Sequence, residues 1–138
     1  MIVIGLDFGL KHLGVSVGDT HSCVANPVGS IYSKSNNFFV KLDAIIRQWC
    51  PALIVIGMPL NADGTKQPLS GLVTQFGNQC KERYNLNIEY VDERWTTVEA
   101  KAQLFAEGGV KKLDKSLIDA ASAQIILQQW FDINSRKS

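Results

Sequence analysis

The chain opens on a short apolar run with one acid in it. Ile2, Val3, Ile4 and Leu6 lead into Asp7, and Phe8 and Gly9 follow. A run that apolar reads as a β-strand covered on both faces. It therefore calls for a layered domain with its sheet in the middle. A carboxylate in such a strand is costly unless its charge is compensated. A bound divalent cation is the usual compensation.

The rest of the chain supplies the layers. Residues 2–8, 14–19 and 24–32 read as three strands of a meander, separated by glycines and short polar turns. Residues 38–50 read as an amphipathic helix, with Phe39, Leu42, Ile45, Ile46 and Trp49 at helical spacing and Pro51 beyond its end. Residues 52–57 form another buried strand, and 58–68 a polar loop with an Asp63-Gly64 turn signal. Residues 69–84 read as a helix with Leu72, Val73, Phe76 and Cys80 on its inner side. A fifth strand over 87–92 precedes a helix over 96–107 that Gly108 and Gly109 stop. Asp114 caps a last helix running to about residue 132, and 134–138 is expected to fray. The order βββαβαβαα predicts one α/β domain over residues 1–138. Its five-stranded mixed sheet begins with a meander and carries helices on both faces. Sites in such sheets lie beyond the carboxyl ends of the strands.

Composition narrows the class. At 138 residues and 46% hydrophobic, one domain with a real core is expected. No apolar run approaches the ~20 residues that span a bilayer, and the N-terminus does not read as a cleavable leader. No membrane partner is expected. Cys23, Cys50 and Cys80 are an odd, scattered set without a C-x-x-C pair. That argues against a disulfide framework and a zinc site, and fits a reducing cytoplasm. A net charge of +1 counts mildly against an overall basic nucleic-acid binder, though a local basic patch is compatible with it.

Three acids carry the chemistry. Asp7 could simply bond backbone amides in the turn after its strand. Glu93, just past the fifth strand, could be a solvated charge beside Arg94. Asp119 says more. Asp119, Ser122, Ala123, Ile126 and Trp130 share one helix face, so Asp119 points toward the sheet. The helix dipole contributes ~2 kcal/mol at best, too little to offset a buried charge alone. Together the three acids can meet at one edge of the sheet. Carboxylates suit magnesium or manganese rather than zinc. Only His12 and His21 offer imidazoles, and no G-x-S-x-G elbow is present.

Leu6-Asp7-Phe8-Gly9, with Lys11 and Gly14-Val15-Ser16-Val17-Gly18, resembles the opening block of the YqgF (RuvX) nucleases. Val55-Ile56-Gly57-Met58-Pro59-Leu60-Asn61 with Asp63-Gly64-Thr65 resembles the second. Asp92-Glu93-Arg94 with Thr96-Thr97 and Glu99-Ala100 resembles the third. Lys115 through Asp119-Ala120-Ala121-Ser122-Ala123 resembles the fourth. The blocks keep the family's order over nearly the whole chain. Leu10 and Trp95 depart from its usual residues without touching a ligand position.

The resemblance implies a ribonuclease H-like fold and acidic metal ligands at Asp7, Glu93 and Asp119. It implies a nuclease that processes the 5′ end of pre-16S ribosomal RNA, or one that resolves Holliday junctions. The expected chemistry is two-metal phosphodiester hydrolysis with Mg2+ or Mn2+. Lys11, Asn61, Lys66, Arg94 and Lys115 are the substrate-binding candidates, with Lys111 and Lys112 nearby. Such cations give affinity and salt dependence but little sequence reading. A loop over 61–67 is expected to close over substrate. Expected partners are pre-ribosomal RNA, branched DNA and ribosomal particles, with the chain a monomer or weak homodimer.

Two rivals remain. Asp7-Phe8-Gly9 with Gly14 and Gly18 also resembles the phosphate loop of actin-type phosphotransferases. Those need two such domains, and this chain has the length of one. A non-catalytic module on ribosomes or transcription complexes is the other, and the presence of all three acids speaks against it.

Overall fold

A computed structural model describes residues 1–35, 37–93 and 115–135. The five strands are β1 (Ile2–Phe8), β2 (His12–Asp19), β3 (Val24–Tyr32), β4 (Leu53–Met58) and β5 (Asn87–Asp92). Among the described residues the helices are α1 (Phe39–Trp49), α2 (Pro68–Tyr84) and α3 (Lys115–Ser135). The helix expected over 96–107 and the cap at Asp114 lie outside the described residues.

The sheet order is β3-β2-β1-β4-β5. β1 pairs antiparallel with β2 and parallel with β4, so it is central, as its apolar sequence requires. Alternate residues of β1 enter two cores. Ile4, Leu6 and Phe8 pack with Phe38, Leu42, Val73 and Phe76 of the α1/α2 layer. Val3 packs on the other face with Val55 of β4 and with Ile126, Leu127 and Phe131 of α3. Ser16 ties the sheet to α3, its hydroxyl donating to the Ala123 carbonyl at 2.8 Å. β3 is an edge strand and tolerates Pro27, next to a register shift at Val15/Ser16.

Three expectations need correction. Leu72 is 39% exposed rather than inward. The buried stripe of α2 is Ser70, Val73, Phe76, Gly77 and Cys80, and Leu72 lies one residue, about 100°, off it. α2 begins at Pro68, where Gln67 and Ser70 form a reciprocal capping box and proline suits the first turn. The last helix, expected to run to about residue 132, extends to Ser135, where the Asn134 amide donates to the Trp130 carbonyl at 2.8 Å, and residues 136–138 of the expected frayed tail lie outside the described residues. Among the described residues no helix is long and apolar enough to cross a membrane.

Helices α1 and α2 are joined by charge. Arg83 donates from Nε and Nη2 to the two Asp43 oxygens at 2.8 and 2.6 Å, and the Tyr84 hydroxyl donates to the same carboxylate at 2.7 Å. These bonds, Arg83 foremost, hold the Asp43 carboxyl well below the usual carboxylate range. A lowered folded pKa stabilises above the unfolded value near 4, and that contribution fades as pH falls toward the folded value. Asp43→Asn should therefore lower the Tm by a few degrees at pH 7, because the pair is partly exposed. The gap to wild type should narrow below pH 4, and melts at pH 7, 4 and 2.5 read it directly. A gap that widens in acid would contradict the assignment.

Candidate nuclease site

Asp7 lies near the carboxyl end of β1 and is half-buried, not sealed in the core. It shares a sheet face with Val3, the face covered by α3. Its register partner on β2 is Gly14. On the other side the parallel ladder ends at Leu6↔Ile56, which leaves Gly57 level with Asp7. The acid is thus flanked by two residues without side chains.

Each glycine makes room for another acid. A Cβ at Gly14 would overlap the Asp119 carbonyl oxygen and come within 2.7 Å of its carbonyl carbon. The backbone of α3 therefore rests directly on β2 at Asp119. A Cβ at Gly57 would overlap a Glu93 carboxylate oxygen and lie 2.7 Å from its Cγ and 2.5 Å from Ile126 Cδ1. Glu93 leaves the end of β5 and folds back over β4. Adjacent strands are ~4.8 Å apart, so Asp7 lies one strand from the point each of the other acids covers.

The expected inward face of α3 is the observed one. Asp119, Ser122, Ala123, Ile126 and Trp130 are all buried, with Asp119 only 7% exposed. Its Oδ2 accepts from the Ser30 hydroxyl at 2.9 Å, and His12 Nδ1 stands 3.4 Å from the same oxygen. Nothing in the local sequence marks either partner for this role. Both follow from period-2 alternation: His12 shares a β2 face with Gly14, and Ser30 is Gly14's register partner on β3.

The donor set has the chemistry of a hard divalent site, three carboxylates from three elements. Among the described residues no trio of His, Cys, Asp or Glu is gathered tightly enough to hold an ion as it stands. Carboxylates brought together without a cation repel one another, so a closed cage is not expected before an ion binds.

The basic candidates are less gathered. Lys11 and Lys66 are exposed. Arg94, Lys111 and Lys112 lie outside the described residues, as does the side chain of Lys115. Asn61 is engaged within its own turn, its amide donating to Thr65 Oγ1 at 3.0 Å and the Lys66 carbonyl at 3.4 Å. A bridge between Leu60 and Lys66 and the 2.8 Å bond from Asn61 N to the Thr65 carbonyl make this segment a self-bonded turn.

Comparison with known proteins agrees with this architecture. A protein 41% identical over 131 residues, 94% of each chain, is the "Putative pre-16S rRNA nuclease" of Yersinia enterocolitica. A protein of the same name from Colwellia psychrerythraea is 43% identical over 94% of this chain and 88% of its own. Among solved structures, Thermus thermophilus RuvC in complex with a Holliday junction substrate superposes with a TM-score of 0.61 at 14% identity. That match covers 98% of this chain and 96% of RuvC, and at such identity it speaks for the fold alone. The fold is ribonuclease H-like, as the resemblance implies. The RuvX family model, described as Holliday junction resolvase, matches residues 1–133, and the chain belongs to the RuvX family.

Proposed function

We propose that this chain is a metal-dependent nuclease that trims the 5′ end of pre-16S ribosomal RNA. By family it is a hydrolase of phosphodiester bonds. The observation that supports metal dependence is the placing of Glu93 and Asp119 over the two glycines that flank Asp7.

Asp7, Glu93 and Asp119 would hold Mg2+ or Mn2+. Bound there, the ions supply an activated water and stabilise charge on the phosphodiester oxygens. The chain's own residues do the positioning. Asp7 presents its carboxylate from a rigid central strand. Ser30 and His12 hold one oxygen of Asp119, which orients its carboxylate. Glu93 reaches the site from the end of β5. Lys11 and Lys66 are exposed and, with Arg94 and Lys115, are the candidates to contact the nucleic-acid backbone. Asn61 serves by shaping the turn that carries Lys66. We place the enzyme in the cytoplasm, acting on precursor RNA within ribosomal particles as a monomer or weak homodimer.

Resolution of Holliday junctions is the second reading, favoured by the family description and the RuvC-like fold. The RNA reading comes first because the relatives at 40–43% identity carry that name, whereas RuvC is alike in fold only. Symmetric resolution also needs two sites related by a two-fold axis. The deciding assay offers precursor 16S RNA and a synthetic four-way junction in parallel, with Mn2+, Mg2+ or EDTA. Cleavage of the RNA at its 5′ side, lost in EDTA, is expected. Paired symmetric nicks in the junction with intact RNA would select the second reading, and no cleavage of either substrate would end both.

A further inference from the structure

The acidic site continues outward past His12 to an aromatic ring that the mechanism does not use. On the α3 face of the sheet, Gly14 and Ser30 are register partners beneath Asp119. The next residues on that face are His12 and Tyr32, again register partners. Their rings lie 5.1 Å apart, centroid to centroid, tilted by 50°. Tyr32 is 48% exposed and the His12 side chain 32%. A large aromatic ring that is half open to solvent forgoes much of the stabilisation its burial would bring. This one stands beside a reaction site.

From this continuity we infer that Tyr32, backed by His12, is a stacking platform for one unpaired base of the nucleic-acid substrate. The inference rests on the nuclease reading and adds a substrate class to it: a strand unpaired next to the scissile phosphate. His12 reaches from Tyr32 on one side to within 3.4 Å of Asp119 on the other, so a base on the platform lies next to the acids. Lys11 and Lys34 are exposed on the adjoining turns, which a 2.9 Å bond from Ser33 N to the Lys11 carbonyl pins together. Cations beside an open ring suit a base with its phosphates, since stacking accepts any base and lysines follow the backbone. A continuous duplex keeps its bases stacked inside and offers the ring nothing.

Binding of a 5′-labelled, single-stranded ten-nucleotide RNA of mixed sequence, followed by anisotropy in EDTA, tests this without turnover. Tyr32→Ala should weaken binding roughly tenfold, and Tyr32→Phe should stay within about twofold of wild type. Moving one abasic site along the RNA should reveal a position where wild type loses about the same tenfold. Tyr32→Ala should lose little there, because both changes delete one contact. Equal affinity of wild type and Tyr32→Ala overturns the platform, as does a scan in which every position behaves alike or a Tyr32→Phe as weak as Tyr32→Ala. Failure of the nuclease reading appears separately, as absent Mn2+-dependent cleavage.

Discussion

Asp7→Asn is expected to reduce metal-dependent cleavage by roughly a thousandfold or more while leaving the folded structure intact. The substitution keeps shape and removes charge. Asp7 is half-buried, and asparagine is its isostere, so the amide fits where the carboxylate stood. A swap of equal size at a half-buried position leaves the packing around it as it was. The metal-free Tm should therefore change little. Affinity for the cation should fall with the charge. Wild type should gain Tm on addition of Mn2+, since a ligand that binds only the folded state stabilises it, and Asp7→Asn should lose most of that gain. The pair of measurements separates a dead enzyme from an unfolded one. Undiminished cleavage by Asp7→Asn would remove Asp7 from the site altogether.

Asp7 also marks where sequence reasoning was strong and where it stopped. The apolar density of residues 2–8 places a central strand, and the observed β1 has those bounds. The stripe Asp119, Ser122, Ala123, Ile126 and Trp130 places the inner face of α3, because helical periodicity is local information. The apolar run around Asp7 predicts deeper burial than the residue has. Its strand is covered on both faces, but the residue lies near the strand's open end, and exposure there depends on where the flanking layers stop. Ser30 could not be found by local pattern, because it lies 89 residues from Asp119. Its role follows only from strand register. The same holds for Gly14 and Gly57. The sequence marks them as strand glycines, and only the pairing of β1 with β2 and β4 shows that both flank one acid.

Those two glycines give the sharpest contrast the structure offers. Alanine at either adds one methyl group facing α3, yet the obstacles differ in kind. At Gly14 the methyl meets backbone, the carbonyl of Asp119 within a buried turn of helix. Backbone cannot swing aside, so α3 must lift from β2 or the strand must bend. Gly14→Ala should cost about 3 kcal/mol, the upper end for overpacking a well-filled interior. It should lose cleavage mainly because the Asp119 contact to Ser30 opens. At Gly57 the methyl meets the far ends of two side chains, the Glu93 carboxylate and Ile126 Cδ1, both of which can rotate. Gly57→Ala should cost only about 1 kcal/mol. Its carboxylate is nevertheless the group that moves. A displacement of about 1 Å at a reacting centre lowers turnover by ~100-fold. Gly57→Ala should therefore fold nearly as well as wild type and cleave about a hundredfold more slowly, with weaker binding of Mn2+. Urea melts and cleavage rates on both variants make the comparison. If Gly57→Ala were fully active, Glu93 would have no part in the proposed site, which would reduce to Asp7 and Asp119.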